Sequence, residues 1–160
     1  MTVKAYSDEN SIALNFTGTI KAASCDISSG NGQKVSLGDV GTTHFGSTGD
    51  VSSAKPFSIG LNCADYGPKQ ATVTFSGTAA SDPTLLALDG GEGAATGIAV
   101  RINQADSGEQ VKLNTPSATT ALIAGENTLN FTAQYQALTG RSNITPGKAN
   151  ATAQFTINYP

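Results

Sequence analysis

Apolar residues in this chain recur at every second position, in short runs that no helix could use. The pattern runs through Ile12, Leu14, Phe16, Gly18 and Ile20, then Phe57, Ile59 and Leu61, Val73 and Phe75, and Ile98, Val100 and Ile102. It continues through Leu129, Phe131, Ala133 and Tyr135 and ends with Phe155, Ile157 and Tyr159. A period of two places one apolar face on a strand and turns Thr, Asn, Gln and Arg to the other. Alternating or apolar runs fall at 12–27, 33–38, 55–63, 70–77, 97–104, 109–114, 127–138 and 148–159, and predict seven or eight short strands. Between them lie turn-forming segments such as SSGNGQ, DYGPK, ALDGGEGAATG, ADSGEQ and TGRSNITPGK. Two sheets facing each other across the apolar sets make a sandwich. No window sustains helical periodicity, although SDPTLLALD at 81–89 has room for a single helical turn.

Length and composition support the same class. A chain of 160 residues with 38% hydrophobic content can build one domain with a real core. Nine Lys and Arg are scattered through a chain of net charge -3, with no basic run, so nucleic acid and anionic lipid are poor partners. No stretch reaches the roughly 18 to 20 apolar residues of a membrane-spanning helix. The opening MTVKA fits an expression start as well as the trimmed end of an export signal. Cys25 and Cys63 are the only cysteines and neither sits in a CxxC, which leaves a single disulfide or two buried thiols. A disulfide would close a loop of 63 − 25 = 38 residues, stabilise the fold by roughly 4 kcal/mol and imply an oxidising compartment, periplasmic or extracellular.

No arrangement resembles an active site. His44 is the sole histidine, with Asp39 and Asp50 near it in sequence, but a Gly- and Thr-rich loop without a GxSxG elbow argues for a solvated histidine over a catalytic triad. The acid pairs Asp8 and Glu9, and Asp89 and Glu92, lie in polar segments where nothing apolar would shift a pKa. GGEGAATG at 90–97 lacks the spacing of a phosphate-binding loop and reads as a connection between strands. Sequons at Asn15, Asn130, Asn143 and Asn150 are expected by chance in a chain rich in Thr and Asn. Dispersed acids give no metal site, and no cofactor is expected.

The two ends pose the remaining question. An alternating strand opens the chain, and another stops one residue after Tyr159. The sheet runs out of polypeptide.

The motifs resemble those of chaperone-usher pilus subunits, close to the type 1 fimbrial pilins, over nearly the whole length. NFTGTIKAASC, with Gly18 seven residues before Cys25, is similar to the family's opening, and FSIGLNC to the strand that supplies the second cysteine, Cys63. ATVTFSGTA, LLAL, ATGIAVRI, LNFTAQYQA and NATAQFTINYP follow in the family's order, and Gly147 stands a dozen residues before the penultimate Tyr159.

The resemblance implies an all-β, incomplete immunoglobulin-like sandwich that lacks its last strand and is completed by a donor strand from another subunit. Residues 1–20 would be the N-terminal donor extension and 21–160 the pilin domain. Ile12, Leu14, Phe16 and Ile20 would plug a neighbour's groove, with Gly18 allowing close backbone approach. Gly147, Phe155, Ile157 and Tyr159 would form the C-terminal strand recognised by a periplasmic chaperone. The implied role is a structural pilin, not an enzyme, exported through the periplasm, assembled at an outer-membrane usher and displayed as an extracellular homopolymer. The major shaft subunit is preferred. A minor adaptor of the same system, or a self-contained carbohydrate-binding module, is the alternative, with Phe45 and Tyr66 as the loop aromatics able to stack on sugar.

Overall fold

A computed structural model describes residues 2–6, 11–16 and 24–160 of the chain. The strands are β1 (Thr2–Tyr6), β2 (Ser11–Asn15), β3 (Asp26–Ser29), β4 (Lys55–Cys63), β5 (Gln70–Ser76) and β6 (Leu86–Ala87). They continue with β7 (Ile98–Gln104), β8 (Thr120–Ala121), β9 (Gly125–Ala137) and β10 (Gln154–Asn158). One sheet has the order β3-β4-β9-β7-β6 and the other β10-β5-β8, while β1 and β2 pair with each other. The two larger sheets form the sandwich.

Register follows the alternation. Phe57 on β4 lies opposite Phe131 on β9, and Ile59 opposite Leu129, so both pairs present one apolar face. In the second sheet Phe155 lies opposite Phe75, and Ile157 opposite Val73. The faces meet in an aromatic cluster: Phe75 stands edge-on to Phe131 at 5.1 Å between ring centroids, and Phe57 stacks on Phe131 at 5.6 Å. β9 outruns β4, and residues 49–52 take over as its neighbour: Ser52 N donates to Tyr135 O, and Gly49 N to Ala137 O, each at 2.9 Å. Cys25 and Cys63 form a disulfide with Cα atoms 4.4 Å apart, which excludes the free-thiol alternative and ties the start of β3 to the end of β4.

Several expected elements differ. The run 12–27 is not one strand: β2 ends at Asn15 and β3 begins at Asp26. β2 instead pairs antiparallel with β1, Leu14 opposite Val3 and Ile12 opposite Ala5, because a strand edge bonds whatever backbone lies within reach. Residues 33–38 form no strand, since β3 already occupies that edge of β4. Residues 109–114 form no strand but make one isolated bridge to β7, Gln110 opposite Asn103, with Gln104 N donating to Glu109 O and Val111 N to Ile102 O, each at 2.8 Å, and they bury Val111 and Leu113. The helical turn expected within 81–89 is a capped turn. Asp82 Oδ1 accepts from Thr84 N and Thr84 Oγ1, and the chain then enters β6. The last strand starts at Gln154, not at 148.

Candidate functional site

Most of the expected core is buried, with Ile59, Leu61 and Val73 fully so. Phe57 and Ile98 stay partly open, as do Phe155, Ile157 and Tyr159. Phe57, Ile98 and Phe155 share one cause, since all three line a single cleft of about 1720 Å³. Its floor is apolar, formed by Phe57, Ile59, Phe75, Val100, Ile102 and Ala133, with Tyr135 beside them. Segment 30–42 forms one wall and segment 145–155 the other.

Both walls leave backbone free. Among the described residues β10 pairs only with β5, so its other edge is unpaired, and at Gln154 and Phe155 the strand borders the cleft. Across from it, Leu37 and Val40 pack against the core, yet no backbone N–H of residues 34–40 finds a backbone partner among the described residues. An apolar floor between two unpaired backbones fits one kind of occupant, an extended strand with alternating apolar side chains. Water fills such a cleft poorly, and the exposed edge invites pairing.

The C-terminal wall is fastened from behind. Ala95 N donates to Lys148 O at 2.8 Å, Lys148 N to Gly93 O at 2.9 Å, and Asp89 N to Asn150 O at 2.7 Å. Gly147 lies within this seam at φ +157°, and a Cβ there would come within 2.7 Å of Ala94 C and Ala95 N. Only glycine lets the wall sit this close. The Tyr135 hydroxyl donates to Ala149 O at 2.7 Å, and burial, followed by the charge of Asp39, pushes that phenol above its ordinary pKa. At the far end the Tyr159 hydroxyl accepts from Cys25 N at 3.3 Å and lies 3.4 Å from Cys25 O, so the last strand is tied to the root of the N-terminal leader.

Of the residues expected at the C-terminal strand, Gly147 and Phe155 line the cleft, whereas Ile157 lies further along β10 opposite Val73 and Tyr159 lies beyond its end, against Cys25. Of the expected donor residues, Ile12 and Leu14 lie on β2, Phe16 is exposed, and Gly18 and Ile20 lie outside the described residues. Sequence reasoning missed the wall at 34–40 and the Tyr135 anchor. Val35, Leu37 and Val40 carried some signal for the wall, but nothing in the sequence distinguishes a buried tyrosine with a hydrogen-bond target from one without.

The remaining candidates have structural explanations. Phe45 is fully buried and cannot stack on a sugar, because the short 3-10 turn Thr42–His44 folds it inward. Tyr66 is exposed. Asp50 Oδ2 accepts from Gly46 N at 2.8 Å and Ser47 N at 3.0 Å, and the Ser47 bond above all, then the Gly46 bond, holds its carboxyl below the ordinary aspartate pKa. That is a loop closure. Arg141 donates from Nε to Phe45 O and from Nη2 to Thr43 O, bracing the same loop. Among the described residues no group of three or more His, Cys, Asp or Glu could hold a metal ion, and no helix is long and apolar enough to cross a membrane.

The comparisons agree with this geometry. The family model described as "Fimbrial protein" matches residues 14–160. The chain is 36% identical over 149 residues to long polar fimbria protein A of Salmonella typhimurium, covering 91% of this chain and 82% of that protein. It is 39% identical over 154 residues to the type-1 fimbrial protein A chain of Salmonella typhi, covering 91% and 81%. A solved chaperone-usher pilus structure shares the fold, with TM-score 0.70 at 23% identity over 98% of this chain and 99% of that one. An all-β immunoglobulin-like sandwich with an open cleft beside its last strand, joined to a match spanning nearly the whole chain, establishes that this chain belongs to the fimbrial protein family and is a structural fimbrial subunit, a pilin.

Proposed function

We propose that the chain polymerises head to tail by donor-strand exchange, with residues 1–20 as the donor extension and 21–160 as the body that accepts it. The supporting observation is the cleft, whose apolar floor lies between the unpaired edge of β10 and the unpaired wall at 34–40. Ile12, Leu14, Phe16 and Ile20 of one copy plug this floor in the next, and Gly18 lets the two backbones approach. Four such plugs contribute roughly 6 to 12 kcal/mol gross, and each backbone bond about 1. Ordering costs about 1 to 2 kcal/mol per residue, so permanence comes chiefly from slow dissociation. Donation also requires β2 to leave β1, its partner within the same chain.

An unfilled cleft is an aggregation hazard, which is why a periplasmic chaperone lends a strand along Phe155, Ile157 and Tyr159 before an outer-membrane usher delivers the subunit to a surface pilus. The subunit is the shaft component, and its work is structural, with no catalysis.

The test compares oxidised full-length protein with a variant lacking residues 1–20 and with Gly18→Val, by size exclusion and negative-stain microscopy. SDS-resistant ladders and filaments from the full chain alone, with Gly18→Val slowed or blocked, are expected. Stable monomers from all three proteins would sink the reading.

A further inference from the structure

The large hydrophobic side chains left exposed are not spread evenly over the body. Among the described residues outside the leader four are exposed, namely Ile27, Val51, Tyr66 and Ile123, and all but Val51 lie toward the Cys63 end of β4. Tyr66 is 86% exposed in the loop between β4 and β5, and Ile123 is 69% exposed in the loop between β8 and β9. The two loops are stitched together: Gln70 pairs with Ala121, and Leu122 N donates to Lys69 O at 2.8 Å. Ile27 on β3 lies opposite Leu61, which stands two positions before Cys63 on β4. Single exposed hydrophobics are ordinary, whereas two carried on loops bonded to each other are the kind of surface that a docked body covers.

The same pole carries Cys25, bonded to Cys63 and to the Tyr159 hydroxyl. The leader therefore leaves the body here. β10 runs toward this pole, ending at Tyr159, and starts at the opposite pole, where Val51 bridges to Gln136 near the end of β9. A donor strand lying antiparallel to β10, as every named strand pair in this fold lies, ends at the neighbour's Val51 pole. The link from Ile20 to Cys25 spans about 17 Å at full extension. One subunit's Cys25 pole is thus held close to the next subunit's Val51 pole.

We propose that the Tyr66–Ile123 pole is a docking surface for a second copy of this chain, packing against the neighbour's opposite pole around Val51. This rests on the donor-strand reading and extends it: the strand joins the subunits, and the apolar poles set the angle between their bodies. Tyrosine suits such a contact, since it buries a large rigid face while keeping its hydroxyl wet.

The test places a photoreactive benzophenone amino acid at Tyr66, at Ile123 or, reciprocally, at Val51, in full-length chains assembled into filaments. Illumination is expected to yield intersubunit adducts. Probes at Tyr66 and Ile123 should map to residues 49–53 or 138–147 of the neighbour, and the probe at Val51 to residues 64–69 or 122–124. Filaments that form normally but give no adduct from either pole, or only adducts joining two Cys25 poles, would overturn the docking surface and leave donor-strand assembly standing. Failure of every protein, including the unsubstituted chain, to form filaments would instead overturn the assembly reading and the docking surface with it.

Discussion

The two flanks of the aromatic cluster are made of the same kind of strand and end differently. On one side β4, β9 and β7 pair along their lengths, and the faces of Ile59, Leu61 and Leu129 are dry. On the other side β10 carries the same alternation, yet Phe155 and Ile157 remain only partly buried, and one neighbour is missing among the described residues. Alternation specifies that a strand needs cover on one face and hydrogen bonds on two edges. It does not say which chain supplies them. The closed flank makes the subunit a folded body, and the open flank leaves one strand edge unpaired among the described residues.

This contrast can be broken most directly at Phe131, which is 1% exposed and touches both Phe57 and Phe75. Phe131→Ala is expected to cost about 3–5 kcal/mol, read as a lower urea midpoint whether or not the cleft is filled by a synthetic peptide of residues 10–20. A loss below about 1 kcal/mol would mean the closed flank is not where stability resides.

Gly147→Ala should act on the open flank alone. The added methyl meets the backbone of Ala94 and Ala95, so the wall shifts, at about 1–3 kcal/mol. The expected signature is weaker peptide uptake with little change in the empty subunit's near-ultraviolet spectrum; equal uptake by both proteins would show that the wall position does not matter.

Tyr135→Phe sharpens the comparison further, because the ring stays in the core and only the bond to Ala149 O is lost. About 0.5–1.5 kcal/mol is expected, measured as faster peptide release.

The smallest effect is one of pH. Asp50, whose carboxyl is held below its ordinary pKa by the Ser47 and Gly46 amides, binds protons more weakly folded than unfolded. Its contribution is therefore complete above the ordinary aspartate pKa and fades as pH falls through the folded value. Acidification should speed hydrogen exchange at Gly46 and Ser47, relative to amides of β9, and Asp50→Asn should abolish that difference.

Much of the fold was legible because periodicity survives folding. β4, β5, β7 and β9 lie where the alternation of Phe57, Val73, Ile98 and Leu129 places them. Reading failed where bonding depends on a distant neighbour. Residues 33–38 have apolar side chains suited to a strand but pair with no neighbour, residues 109–114 make only one bridge, Gln110 to Asn103, and β1 was invisible because its pairing depends on β2. In the site, Gly147 and Tyr159 could be singled out by motif alone. The Tyr135 bond and the burial of Phe45 could not, since each depends on where another loop comes to rest.

The sequence by itself determined an all-β chain with alternating apolar faces, two cysteines able to pair and a leader patterned like a strand, because side-chain direction along a strand is a local property. Tertiary structure alone decided which edge stayed open, what walled the cleft and which pole gathered Tyr66 and Ile123, because those depend on contacts between residues far apart in the chain.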